Sequence, residues 1–310
     1  MAAYQELHQS RELKARAEKA RAGLEECRLC PRRCGANRLA GESGQCQVTT
    51  KAIVSSYGPH FGEEAPLVGR HGSGTIFFSY CNLHCAFCQN YTISQLGEGS
   101  PVEEETLAAM MLSLQERGCH NINLVSPTHV VPYILEALEL AAAKGLNLPL
   151  VYNSGGYDAM ETLELLDGVV DIYMPDMKYS DEKIAEELSG VKDYPEVNRA
   201  AVREMHRQVG DLKLDEQGIA KRGLLVRHLV LPEGLAGTEE VVSFLAKEVS
   251  ADTYLNVMAQ YHPCYKAFDI PRLARRLQEQ EFSDAVDLAH RQGLHRLDKE
   301  QFPQLLKVHF

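Results

Sequence analysis

Short apolar runs alternate with amphipathic stretches along most of this chain. The runs predict strands at 75–79, 121–126, 148–152, 170–174, 224–231 and 253–259. Between them the apolar positions change to helical spacing. Leu107, Met110, Met111 and Leu114 share one face of 103–117, and Ile134, Leu138 and Ala142 share one face of 130–144. Further helices are predicted at 160–166, 181–188, 198–209 and 238–249. Such alternation implies parallel strands joined by right-handed crossovers. Six units are too few to close an eight-stranded barrel. The expected fold class is therefore α/β, an open partial (β/α)6 barrel. Residues 180–223 are too long for one crossover and read as two helices plus a small hairpin at Asp215-Glu-Gln-Gly218.

The two ends depart from this rhythm. A charged helix at 9–24 leads into a cysteine-rich segment. Residues 271–295 read as two helices, and 302–310 as a short apolar end. The expected organisation is an N-terminal helix and four-cysteine metal-binding segment (1–50), the partial barrel (51–270) and a C-terminal helical tail (271–310).

Composition narrows the function. No apolar run approaches the roughly 20 residues that span a bilayer, and the charged N-terminus is unlike a signal peptide. A cytoplasmic protein with no membrane partner is expected. A net charge of −11 speaks against a nucleic-acid partner, which needs basic surface. Nine cysteines in such a chain point to a reducing compartment, and to metal rather than disulfides.

Three of these cysteines follow the first predicted strand, in Tyr80-Cys81-Asn-Leu-His84-Cys85-Ala-Phe87-Cys88. A cubane iron–sulfur cluster has four irons, ordinarily held by four thiolates. This tight loop supplies three, so one iron is left open for a ligand that is not protein. The competing reading is a zinc loop with His84 as fourth ligand, or free thiols.

In β/α barrels the active site lies at the C-terminal ends of the strands. In order, those ends carry the three cysteines, Ser126-Pro-Thr128-His129, Asn153-Ser154-Gly-Gly156, Asp176-Met-Lys178, Arg227-His228 within the fifth strand, and Gln260-Tyr-His262. The loop and the order of these motifs over residues 74–263 resemble the radical S-adenosylmethionine (SAM) superfamily. Within it they resemble the pyruvate formate-lyase activating enzymes and activating enzyme-like proteins. The resemblance implies the radical SAM type of partial barrel. Cys81, Cys85 and Cys88 would hold a 4Fe–4S cluster whose open iron chelates SAM. Reductive cleavage would give a 5′-deoxyadenosyl radical that abstracts hydrogen from a substrate. It also implies flavodoxin or ferredoxin as electron donor. Phe87 would lie against the adenine, Lys178 beside Asp176 would neutralise the SAM carboxylate, and His262 would sit near ribose and adenine. Arg227 matches a basic position of the fifth strand, and Asn153 and Ser154 join the cofactor contacts. Two positions depart from the pattern. Ser126 and Thr128 stand where a Gly-Gly-Glu-like turn receives the SAM amino group, and would serve as acceptors instead. Tyr80 replaces a common glycine and would narrow the approach to the cluster.

Cys27, Cys30, Cys34 and Cys46 form a C-x2-C-x3-C-x11-C pattern. Four thiolates in two knuckles suit zinc, rubredoxin-like iron or a second 4Fe–4S cluster. Activating enzyme-like proteins carry a similar pattern, which favours that branch. Cys119 and Cys264 read as packing residues. Three functions stay open: radical activation of a protein glycine, radical modification of a small molecule or peptide, and a non-catalytic iron–sulfur or zinc scaffold.

Overall fold

The computed structural model describes residues 2–298, so the apolar end predicted at 302–310 lies outside them. The strands are β1 (Ala52–His60), β2 (Ser73–Phe78), β3 (Ser100–Val102), β4 (Ile122–Val125), β5 (Leu150–Ser154), β6 (Ile172–Pro175), β7 (Lys213–Leu214), β8 (Ala220–Leu229) and β9 (Tyr254–Met258). The helices are α1 (Tyr4–Gln9), α2 (Glu12–Ala22), α3 (Ala65–Val68), α4 (Tyr91–Ser94), α5 (Glu104–Glu116), α6 (Val131–Ala143), α7 (Met160–Leu166), α8 (Glu182–Ser189), α9 (Tyr194–Val209), α10 (Thr238–Phe244) and α11 (Glu279–Arg291).

Six strands pair in the order β2, β4, β5, β6, β8, β9, each parallel to the next. The helices α5, α6, α7, the pair α8–α9, and α10 make the crossovers. The fold is thus the open six-unit partial barrel expected from the apolar rhythm. The hairpin at 215–218 is present as well. Asp215 Oδ1 accepts from the backbone N–H groups of Gln217 and Ile219, and β7 pairs antiparallel with β8.

Three features differ from expectation. β1 runs antiparallel along the edge of β2, and β3 adds outside it. Ser55, Ser56, Gly58 and Pro59 dilute the apolar signal of β1 in the partly exposed stretch beyond its pairing with β3. The single N-terminal helix is two, broken at Arg11, whose φ of 65° is left-handed. The tail holds one helix, α11, rather than two. Residues 271–277 stay irregular because Leu273 and Leu277 are buried as separate anchors and Tyr261 Oη donates to the Leu273 carbonyl.

Strand alternation places the site. Val151, Ile172, Met174 and Leu225 form a small apolar cluster with Leu67, Leu212 and Ala220. Two residues further along, on the same strand face, stand Asn153, Asp176 and Arg227. The barrel interior therefore changes from apolar to charged at the C-terminal end of the sheet. Among the described residues no helix is long and apolar enough to cross a membrane.

Candidate active site

The loop after β2 is fixed from several sides. His84 N–H and Ala86 N–H donate to the carbonyls of Ser189 and Leu188, at the end of α8. Asn82 Nδ2 donates to the Tyr157 carbonyl at 2.6 Å. Tyr80 has a φ of 65°, a conformation that glycine adopts at no steric cost, which accounts for glycine being common there. Its ring does not narrow the approach to the thiols. It lies over Gly97, where an added Cβ would come within 2.3 Å of it.

Each cysteine of the loop has its own hydrogen bond. Leu83 N–H donates to Cys81 Sγ at 3.4 Å. Ser189 Oγ donates to Cys85 Sγ at 3.0 Å, and Ser94 Oγ stands 3.0 Å from Cys88 Sγ. Tyr179 Oη lies 2.7 Å from Ser189 Oγ and extends that chain. Burial pushes the Cys81 thiol up to about 12, and it raises Cys88 as well.

Cys81, Cys85 and Cys88 line one cavity of about 220 Å³. The same cavity is lined by Phe87, Ser126, Asn153, Ser154, Asp176, Lys178 and Arg227. Phe87 forms an apolar wall, edge-on to Tyr179 and Tyr261. Ser126 bends the chain out of β4 with a φ of 57°, and its N–H donates to the Asn153 carbonyl.

Asp176 is the electrostatic centre. Lys178 Nζ lies 2.6 Å from its Oδ2 and Arg227 Nε 2.9 Å from its Oδ1. Arg227 Nη2 also donates to Asn153 Oδ1 at 2.8 Å. Burial raises the Asp176 carboxyl, but the Arg227 and Lys178 charges outweigh it and hold the group below the usual carboxylate range. Burial alone would lower the Lys178 ammonium, yet Asp176 keeps it raised. The pair is no solvated surface contact: the two side chains are 18% and 14% exposed. The charged side chains on the lining are two cations and one carboxylate. The far side of Arg227 approaches Glu63, with 4.0 Å between Nη1 and Oε2.

Other predicted residues fall elsewhere. Thr128 does not line the cavity; its hydroxyl is buried and donates to Asp158 Oδ1 at 2.7 Å. Tyr152 and Ser154 donate to the same carboxylate, so the Ser154 proton is committed although the residue lines the cavity. His262 is exposed beyond the rim, its Nδ1 3.3 Å from Gln89 Nε2. His84 is exposed and bonded to Gln95, which takes it away from the thiols. Cys264 lies outside the lining. The sequence did not point to Ser94 and Ser189, because only folding brings them to the sulfurs.

A sequence model of the radical SAM superfamily matches residues 75–214, from β2 through β7. A protein of Methanocaldococcus jannaschii, itself described as uncharacterized, is 33% identical over 280 residues, 87% of this chain and 76% of that protein. The chain belongs to the radical SAM superfamily. Among solved structures, it is similar to a radical SAM methyltransferase from Sphaerobacter thermophilus. That match has a TM-score of 0.49 and 14% identity over 73% of this chain and 67% of the other. A second similar structure is SuiB of Streptococcus suis bound to its precursor peptide SuiA. There the TM-score is 0.48 and the identity 13%, over 72% of this chain and 47% of SuiB.

Membership makes the protein an enzyme, and the radical SAM family implies a 4Fe–4S cluster, SAM and SAM-cleavage chemistry. The residues present fit that pair of cofactors. Three thiols converge on one cavity, each with a hydrogen-bonding partner for its sulfur. Two buried cations beside them suit anionic ligands.

Proposed function

We propose that this protein is a radical SAM enzyme of the pyruvate formate-lyase activating enzyme-like kind, an oxidoreductase acting on a glycine Cα–H of a protein substrate. The observation that carries the reading is the meeting of Cys81, Cys85 and Cys88 with Asp176, Lys178 and Arg227 on one cavity. Cys81, Cys85 and Cys88 would hold the cluster, and the cavity they line would take SAM beside it. Bound there, cluster and SAM would supply one-electron reductive cleavage of SAM to methionine and, with a hydrogen atom from substrate, 5′-deoxyadenosine.

The chain's own residues bind, orient and shield. Lys178, tethered by Asp176, offers its ammonium to the SAM carboxylate. Arg227 fixes Asp176 and Asn153 at the cavity floor. Phe87 gives the adenine an apolar face, and Ser126 offers polar acceptors. A glycine substrate suits the chemistry, because its α-carbon radical is delocalised over both neighbouring amide groups and no side chain blocks approach. The electron comes from reduced flavodoxin or ferredoxin. All nine cysteines are unpaired, in keeping with the reducing cytoplasm.

Deuterium transfer tests the substrate. Reconstituted enzyme is given SAM, reductant and protein from cells grown on α-deuterated glycine. Deuterium in the released 5′-deoxyadenosine is expected. Cleavage without deuterium transfer overturns the glycine reading and leaves SAM cleavage standing.

The hydrogen bond from Ser189 to Cys85 makes a second expectation. A donor to a cluster thiolate withdraws electron density and favours the reduced form. Ser189→Ala therefore lowers the cluster's midpoint potential, read by a redox titration followed by electron paramagnetic resonance. An unchanged or higher potential would show that this bond does not act on the cluster.

A further inference from the structure

Arg38 is the largest fully buried side chain among the described residues, with no solvent exposure. Its neighbours are unusual for a buried cation. Nη1 donates to the His129 carbonyl at 2.8 Å and lies 3.8 Å from Cys27 Sγ. Nη2 lies 3.4 Å from Tyr133 Oη, Nε 3.3 Å from the Thr49 carbonyl, and the guanidinium stands over the Tyr133 ring. Among the described residues no carboxylate pairs with it. A buried charge without an opposite charge is among the costliest arrangements in a protein. The groups beside Arg38 that become anions on binding a metal are thiols.

Those thiols are gathered by the fold. Cys27, Cys30 and Cys46 are buried and Cys34 is exposed. Cys30 and Cys46 each lie within electrostatic reach of the other three, and Arg38 within reach of Cys46. Cys27 N–H donates to the Ala36 carbonyl and Gly35 N–H to the Cys27 carbonyl, which closes the first knuckle. Gly44 brings in the second: a Cβ there would stand 2.3 Å from Cys34 Sγ, so the close approach requires glycine. Gln47 N–H donates to the Gly44 carbonyl and turns Cys46 inward. Among the described residues no three His, Cys, Asp or Glu side chains converge tightly enough for one ion as they stand. Binding either draws them together or fills the space with a cluster.

We propose that Cys27, Cys30, Cys34 and Cys46 bind a thiophilic metal centre as thiolates, with Arg38 as its buried counter-cation. Four thiolates around a divalent zinc ion, or around an oxidised 4Fe–4S core, carry a double negative charge, and the guanidinium halves it. The centre braces the catalytic loop from behind. Arg32, between Cys30 and Cys34, donates from Nε to the Asn82 carbonyl at 2.9 Å and from Nη1 to the Gly190 carbonyl at 3.0 Å. On the Arg38 side, His129 Nε2 lies 2.9 Å from the Ser79 carbonyl, two residues before Cys81.

Metal and sulfide analysis of the Cys81→Ala, Cys85→Ala, Cys88→Ala triple variant, purified without oxygen, tests the site apart from catalysis. One zinc or one iron per chain, or about four irons with matching sulfide, supports the centre and tells its kinds apart. A folded triple variant without metal overturns it. So does metal that persists after Cys27→Ser and Cys30→Ser are added. Arg38→Met is expected to weaken metal retention against a chelator by about 10–100-fold, with Arg38→Lys recovering part of it. Equal retention in parent and Arg38→Met removes the counter-cation role. If Arg38→Met does not fold, retention in Arg38→Lys decides, because lysine keeps the charge and loses the fork that reaches Tyr133 and Thr49 as well as Cys27 and His129. Retention equal to the parent's then removes the role of that fork, and weaker retention supports it.

Discussion

Cys81→Ala, Cys85→Ala and Cys88→Ala each bring 5′-deoxyadenosine release down to the level of a protein-free control. The size of the effect follows from ligand number. A loop that leaves one iron open for SAM has no ligand to spare, so losing one thiolate leaves two irons without protein ligands. No substitute is at hand. The other sulfur on the cavity lining belongs to Met258, a thioether, and Cys264 lies outside it. Serine is no remedy, because a hydroxyl is a far weaker ligand for iron than a thiolate. The measurement is anaerobic reconstitution with iron and sulfide, then dithionite and SAM, with methionine and 5′-deoxyadenosine quantified. Cys264→Ala serves as the control and turns over like the parent. Parent-like turnover in any one of the three loop variants would remove the assignment of the cluster to this loop. Thermal unfolding distinguishes chemistry from collapse, since the backbone hydrogen bonds of the loop to Leu188 and Ser189 involve none of the substituted side chains.

What could be seen of this site in the sequence divides by range. The C-x3-C-x2-C spacing is local, and so is the apolar run that ends just before it, so both loop and strand were legible. The six parallel strands were legible because strands buried on both faces read as continuous apolar runs. β1 was not, because its partly exposed face mixes serine, glycine and proline into the pattern. Asp176 and Lys178 were legible as a pair, but their burial was not. That depends on Arg227, which comes 51 residues later and turns an ordinary ion pair into a three-group centre. Thr128 was misplaced for a similar reason. The buried Asp158 carboxylate, 30 residues on, draws its hydroxyl away from the cavity. Ser94, Ser189 and Arg38 carry no sequence signal, since a serine or an arginine gains a role at a sulfur only through tertiary packing.

Lys178→Met weakens SAM binding by about tenfold to a hundredfold, the worth of one hydrogen bond to a charged group. The fold tolerates the change, because Asp176 keeps Arg227 as partner and the methionine chain fills the lysine's apolar stem. Asp176→Ala acts differently. It leaves two buried cations, Lys178 and Arg227, without the carboxylate that holds both. Breaking a buried pair from one side costs about 3–5 kcal/mol, so this variant loses thermal stability as well as SAM affinity. Both variants keep the cluster's absorbance, since neither residue bonds to a loop sulfur. Isothermal titration of SAM into cluster-loaded protein measures the affinities, and thermal unfolding separates the two variants. Unchanged affinity in both would show that this charged centre supports the barrel floor and takes no part in holding SAM. Weakening in Lys178→Met without loss of stability places the ammonium on the cofactor, because a purely structural lysine would move both readings together.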